Sequence, residues 1–260
     1  MKSLGYVDGG AAAVVDALVE VFVENNSGTV LLPTFSIEGS MHRSLLSGRV
    51  FDAASTASNL GAIPEACRRH RSARRSVHPT HSFAAIGVAA DWLVSQHHYC
   101  GSSFGQGSPM ARLLEAEGYL LGLGTTLGSV TFYHCLEDLE AGFPLNVYSA
   151  DSPIMVACRD QDGVLHHLPI NAHDAVISQS RIDRPSSERL RQLFEQRLRQ
   201  NAGLGWFSVG EAKVWLVGAK PLYDEAKRLM DQGVTIYSTA SELAAFEHRT
   251  GDGTFDRLKG

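Results

Sequence analysis

Several things are scarce in this sequence, and each scarcity narrows what the protein can be. No apolar run approaches the roughly 18 residues that a membrane-crossing helix needs. The opening residues lack a basic segment followed by an apolar stretch, so no secretory leader is expected. Cysteine is rare. Cys67, Cys100, Cys135 and Cys158 lie far apart, with no C-x-x-C pair and no zinc spacing. They read as free thiols in a reducing cytoplasm. Charge is modest too: 20% of residues are charged and the formal net charge is −5. That balance excludes a nucleic-acid-binding protein that relies on neutralising phosphates. Internal repeats, low-complexity tracts and flexible linkers are absent, as are G-x-G-x-x-G, a P-loop, H-E-x-x-H and G-x-S-x-G. What is present is a 260-residue chain that is 44% hydrophobic, enough to bury a sizeable core, and 11 histidines.

Apolar spacing predicts the elements. Val14, Leu18, Val21 and Phe22 recur at helical intervals within residues 10–24, and the N-N-S-G at 25–28 ends that helix. TVLLPTF at 29–35 reads as a short buried strand. Residues 36–58 read as a long loop, and 59–69 as a helix. Ile86, Ala89, Ala90 and Leu93 share one face of a helix expected over 83–97. Ser108-Pro109 has the form of an N-cap followed by a first-turn proline. A buried strand at 119–124, a helix at 130–140, a hairpin at 155–168, a charged amphipathic helix at 186–200, a strand pair at 206–217 and a helix at 221–230 follow. The tail after Gly233 is expected to hold one more strand and a short helix. The fold expected is α/β, with a mixed central sheet flanked by helices and a hairpin-rich elaboration in the second half. It forms a single domain over 1–260, with 151–218 as a candidate subdomain.

Four segments carry chemical interest: L-P-T-F-S at 32–36, R-R-S-V-H-P-T-H-S-F at 74–83, F-G-Q-G-S-P at 104–109 and T-F-Y-H-C-L-E at 131–137. In the last, His134 and Glu137 stand three apart, which puts both on one face of a helix. Glu137 is then able to orient the imidazole, fix its tautomer and raise its pKa, making a general base. A half-buried histidine bridged to its neighbour has the same pattern. His78 and His81 share one short loop and invite a metal reading, but no third ligand is evident from the spacing. A metal-dependent hydrolase using His78, His81 and His134 is the third-ranked function. Ser76 and Ser82 flank Pro79 with hydroxyls and main-chain N–H groups suited to a phosphate or an amide. The arginines before them, Arg75 included, are of the kind that meets phosphates. A solvated basic face is the plainer account of the same run.

Taken together and in this order, these segments resemble the aminoglycoside 3-N-acetyltransferase family of antibiotic N-acetyltransferases. LGYVDGGAAAVVDAL, S-N-L-G at 58–61, the Leu-Gly-Leu-Gly strand and VGEAKVWLVGAKPLYDEAKRLM also match, so the resemblance covers about residues 4–231. It implies an α/β fold distinct from the common GNAT acetyltransferases. It also implies acetyl-CoA as donor and cosubstrate, no metal, and direct transfer of the acetyl group to a primary amine, at the 3-N position of an aminoglycoside or on a similar amine. Antibiotic resistance in a cytoplasmic enzyme is the matching biology. By the same resemblance His134 is the catalytic base, Glu137 its supporting carboxylate, and Thr131 a donor to the thioester oxygen. Ser76, Val77, Ser82 and Phe83 would line the pantetheine arm. The partners expected are CoA and a small-molecule amine, with no nucleic acid and no membrane; a homodimer is allowed. Glu38, Glu137, Asp138 and Glu140 are candidates for an acidic acceptor cleft. The sequence begins inside a region where family members carry a strand close to CoA. The alternative expectation is therefore a non-catalytic CoA- or amine-binding homologue lacking that strand.

Overall fold

The computed structural model describes residues 4–250. Helix α1 (Gly10–Val19) runs on into a wider π-type turn, Glu20–Glu24. Strand β1 (Thr29–Pro33) follows, then helix α2 (Met41–Leu46), the two-residue strand β2 (Phe51–Asp52) and helix α3 (Ala62–Arg69). The expected long loop at 36–58 therefore holds a helical turn, started by Ser40, whose hydroxyl accepts from the Arg43 N–H. Strand β3 (Arg74–Arg75) and strand β4 (Phe83–Gly87) bracket the H-P-T-H loop.

The helix expected over 83–97 is a strand first and a helix second. β4 lies between β1 and β3, antiparallel to both, with Leu31 opposite Ala85 and Arg75 opposite Ala84. As the centre of its sheet it is buried on both faces, so Phe83, Ala84, Ala85 and Ile86 form an unbroken apolar run without strand alternation. Gly87, at φ 132°, ends it. Only then does helix α4 (Ala90–Val94) start. Helix α5 (Pro109–Glu115) begins as its sequence predicts: the Ser108 hydroxyl accepts from the Ala111 N–H and proline occupies the first turn.

Strand β5 (Tyr119–Leu123) precedes helix α6 (Cys135–Leu139), the hairpin of β6 (Ile154–Arg159) and β7 (Leu165–Ile170), and helix α7 (Glu188–Asn201). Strands β8 (Gly205–Val209) and β9 (Ala212–Gly218) and helices α8 (Ala219–Asp231) and α9 (Ala240–Thr250) complete the described chain. No strand follows Gly233 among the described residues. The class is α/β as expected, and the strands are shared among three three-stranded sheets, ordered β1-β4-β3, β2-β6-β7 and β5-β9-β8. Residues 151–218 divide between two of them: β6 and β7 join β2, while β8 and β9 join β5. No described helix is long and apolar enough to cross a membrane, and the four cysteines are free.

The largest core gathers α7, α8, β9 and the segment that leads into α6. At Gly122 an added Cβ would lie 1.8 Å from Trp215 Cε2, so only glycine lets that indole cross β5. In the segment 131–136, Phe132, Tyr133, Cys135 and Leu136 are all buried in this core. Burying a side chain such as Phe132 or Leu136 contributes about 1.5–3 kcal/mol. This anchoring fixes the direction in which His134 and Glu137 point.

Candidate active site

His134 ends a short 3₁₀ turn, Thr131–His134, and Glu137 sits in the first turn of α6. The two residues are held by one continuous turn of backbone, so the i, i+3 geometry read from sequence is realised: His134 Nδ1 lies 2.6 Å from Glu137 Oε1. A bond that short to a carboxylate puts the proton on Nδ1 and leaves Nε2 as the acceptor. No described residue hydrogen-bonds to Nε2. The Tyr237 hydroxyl also donates to Glu137 Oε1, at 2.8 Å. His173 Nε2 lies 3.1 Å from Oε2, a close electrostatic contact rather than an aligned hydrogen bond.

The electrostatics follow from burial. Burial pushes the Glu137 carboxyl up, but the charge and hydrogen bond of His134, and then His173, outweigh it, holding the group well below the usual carboxylate range. For His134 the balance goes the other way. Burial lowers its pKa, and the pull of Glu137 does not restore it. The expectation that Glu137 leaves His134 with a raised pKa is thereby corrected, because the imidazole is only 7% exposed. A neutral imidazole is the form a general base needs.

Asp138, the next residue, faces a different set of groups. Its Oδ2 accepts from the Phe104 N–H at 2.9 Å, and its Oδ1 accepts from the Tyr148 hydroxyl. Burial pushes its carboxyl up to about 6. Tyr148 stacks on His173, with ring centroids 5.5 Å apart and planes 8° apart. Glu137, Asp138 and Glu140 line one cavity of about 380 Å³, together with Leu139, Phe143, Leu145 and Val147. Three of the four acidic candidates thus converge, whereas Glu38 pairs with Arg49 elsewhere on the surface.

The 75–83 segment packs differently from what its composition leads one to expect. Arg75 is 3% exposed, and its guanidinium donates to the carbonyls of Thr34, Ala53 and Thr56 and to the Ser82 hydroxyl. That fork ties β3 to β1 and to the loop after β2. It faces the interior, with its donors taken by protein oxygens. The side chains of Ser76, Val77, Ser82 and Phe83 are also buried. The Phe83 N–H donates to Ser76 Oγ at 2.8 Å, and Ser76 Oγ lies 2.9 Å from His97 Nδ1. His97 Nε2 lies 2.9 Å from the Ser103 carbonyl, so Nε2 carries the proton and Nδ1 accepts from the serine. Ser103 Oγ lies 3.1 Å from His81 Nδ1. His78 and His81 thus belong to a buried hydrogen-bonded histidine cluster, and burial holds both well below the ordinary histidine range. Thr131 is half-buried at the start of the 3₁₀ turn that His134 ends.

Among the described residues, the group whose ligand atoms all lie within 4.8 Å of one another is His134, Glu137 and His173, not His78 with His81. At 2.6 Å, Nδ1 and Oε1 are spaced as a hydrogen bond. Two ligands of one tetrahedral ion, with bonds of about 2.0 Å, stand about 3.3 Å apart. The set fits an acid–base pair as it stands, and an ion would have to force the pair apart.

Sequence reasoning missed His173, Tyr237, Tyr148 and His97. His173 had one available signal, its position in the loop just past the end of β7, where functional side chains concentrate.

The family model for aminoglycoside 3-N-acetyltransferase matches residues 1–231. The chain belongs to that family. It is 31% identical over 153 residues to the SPbeta prophage-derived aminoglycoside N(3')-acetyltransferase-like protein YokD of Bacillus subtilis, covering 53% of this chain and 55% of that protein. It is likewise 31% identical over 169 residues to aminoglycoside N(3)-acetyltransferase IX of Micromonospora chalcea, covering 60% and 59%. The chain therefore spans a little over half the length of the curated relatives it matches. In fold it is similar to AAC-IIIb in binary complex with CoASH, with a TM-score of 0.72 at 22% identity, covering 92% of this chain and 89% of that one. It is also similar to AAC-VIa bound to sisomicin, with a TM-score of 0.68 at 24% identity, covering 88% and 87%.

Proposed function

We propose that the protein transfers an acetyl group from acetyl-CoA to a primary amine, of an aminoglycoside at its 3-N position or of a similar small molecule, with His134 as general base. The observation that carries this reading is the 2.6 Å bond between His134 Nδ1 and Glu137 Oε1, which leaves Nε2 free. The acidic cavity that Glu137 lines supports it. A substrate ammonium is unreactive until it loses a proton. His134 Nε2 takes that proton, the free amine attacks the thioester carbonyl, the C–S bond breaks, and the departing CoA thiolate takes the second proton from the nitrogen as the amide forms. Glu137 stabilises the imidazolium as it forms, and Tyr237 and His173 keep the carboxylate ionised and oriented. Thr131 is the candidate donor to the developing oxyanion. The segment 76–83 is the CoA-side wall, with its main chain as the contact because its side chains turn inward. The relatives' names and the CoA- and sisomicin-bound neighbours support donor and acceptor class.

The experiment is a thiol-release assay with acetyl-CoA and an amine panel, for the wild type and His134→Ala. Loss of a positioned general base lowers the rate by about 10²–10⁴. A variant with near wild-type turnover refutes the role of His134. CoA binding by calorimetry without release across the panel would favour a non-catalytic CoA- or amine-binding homologue.

A further inference from the structure

The F-G-Q-G-S-P segment at 104–109 stands out in the sequence, and the acid–base pair does not by itself account for its first residue. Ser108 caps α5, and Gly107, at φ 86°, makes the turn before it. Phe104 does something else. Its ring is fully buried and lies nearly parallel to the His134 imidazole, with planes 18° apart and centroids 5.4 Å apart. It is nearly parallel to His173 as well, at 17° and 6.5 Å, and meets the ring of His81 edge-on at 5.1 Å. His134 and His173 are the two imidazoles that face Glu137, so one phenyl ring is aligned with both.

The main chain on either side holds that ring in place. The Phe104 N–H donates to Asp138 Oδ2 at 2.9 Å. Asp138 follows Glu137 in α6, so the turn that carries the carboxylate also anchors the phenyl ring. One residue earlier, the Ser103 carbonyl accepts from His97 Nε2 at 2.9 Å. One residue later, an added Cβ at Gly105 would lie 2.5 Å from Ser102 Oγ, so a larger residue there would push Ser102 aside. The hydrogen bond from His134 Nδ1 to Glu137 fixes one atom of the imidazole and leaves the ring free to tilt about that bond. A flat neighbour removes that freedom. It also changes the charge balance. The face of a phenyl ring carries partial negative charge and attracts a cation within about 6 Å. The cation here is the imidazolium that forms when His134 takes a proton.

We infer that Phe104 is a positioning residue for the acid–base pair: it sets the plane of the His134 ring, keeping Nε2 aimed at the amine, and its π face stabilises the imidazolium. The inference rests on the acetyl-transfer reading and extends it to a residue that acts through His134.

The test replaces Phe104 in the full chain with pentafluorophenylalanine, which keeps the outline of the ring and reverses the charge of its face. A second variant, Phe104→Leu, removes the flat face altogether. Thiol release from acetyl-CoA, with sisomicin as acceptor, is followed against pH. The titratable and charged groups around His134 are Glu137, Asp138, His173, His81, Arg181 and Tyr237. All six are the same in every protein compared, so a shift between them belongs to Phe104. The fluorinated ring is expected to move the acid limb of kcat/KM to lower pH by about 0.5 unit, because the imidazolium loses its support. Phe104→Leu is expected to move the limb the same way and to lower kcat about tenfold, with KM for acetyl-CoA within about twofold of wild type. A thermal melt checks folding, and the fluorinated protein carries the test if Phe104→Leu does not fold. A limb that stays in place with the fluorinated ring overturns the inference, as does a folded Phe104→Leu with kcat within about twofold of wild type. The pKa of His134 is read in parallel from its carbon-bound ring protons by NMR, which needs no turnover. A lowered pKa in the fluorinated protein, with no thiol release from the wild type, would sink the transfer reading and leave the pairing of the rings standing. Thiol release in every protein with an unmoved pKa would do the reverse.

Discussion

Replacing His97 with glutamine is expected to change how stability depends on pH. The imidazole is 1% exposed and stacked on His78, with centroids 4.6 Å apart. Burial brings its pKa down from 6.5 to about 4 in the folded protein. The unfolded chain therefore takes up the proton first. The stabilising contribution is complete above about pH 6.5 and is lost as the pH falls towards about 4. Between about pH 7.5 and about pH 5 an imidazole with these two values costs about 2 kcal/mol of stability. His78 and His81 act in the same direction. Asp138 opposes them: its raised pKa means that the folded state takes up the proton, which adds stability as the pH falls through about 6. The net slope therefore cannot be assigned to one group, and the informative quantity is the difference between two proteins. Urea unfolding of the wild type and of His97→Gln is measured at both pH values. The variant should lose about 2 kcal/mol less than the wild type over that interval. Parallel pH profiles, agreeing within about 0.5 kcal/mol, would refute a buried neutral His97.

Two further outcomes follow from the same geometry. Tyr237→Phe removes a donor to Glu137 Oε1 and leaves the carboxylate charge more fully on His134. The acid limb of the kcat/KM profile should then move to higher pH, and an unmoved limb would remove Tyr237 from the pair. Gly122→Ala brings a Cβ to within 1.8 Å of the Trp215 ring, so the indole or the strand must shift. A loss of about 1–3 kcal/mol in chemical denaturation is expected, and an unchanged midpoint would contradict the crossing of β5 by Trp215.

What could be read in advance was what is local. His134 and Glu137 pair through one turn of backbone, so their spacing was enough. The Ser108-Pro109 start of α5 is likewise written in two adjacent residues. The β4 strand was misread because a strand buried on both faces shows no alternation, and Ile86, Ala89, Ala90 and Leu93 mimic a helical stripe. The burial of Arg75 was not legible, because a run of arginines does not reveal which one turns inward. Here Arg74 and Arg75 both pair with β4, and alternation along β3 turns Arg75 in toward Thr34 and Ser82 while Arg74 faces out to Asp91. His173 and Tyr237 reach Glu137 only through the tertiary fold, and no pattern within a short window could have brought them there.

The carboxylate of Glu137 has a consequence for how the protein matures. Tyr237, which completes its surroundings, lies 100 residues further along the chain. A growing polypeptide that has already made α6 possesses the imidazole and its partner, yet not the hydroxyl or the second histidine that set their charge. With His134 as the proposed base, competence for chemistry would arrive late in synthesis. Fragments released before the last third of the chain emerges should carry the signature motif and remain inert.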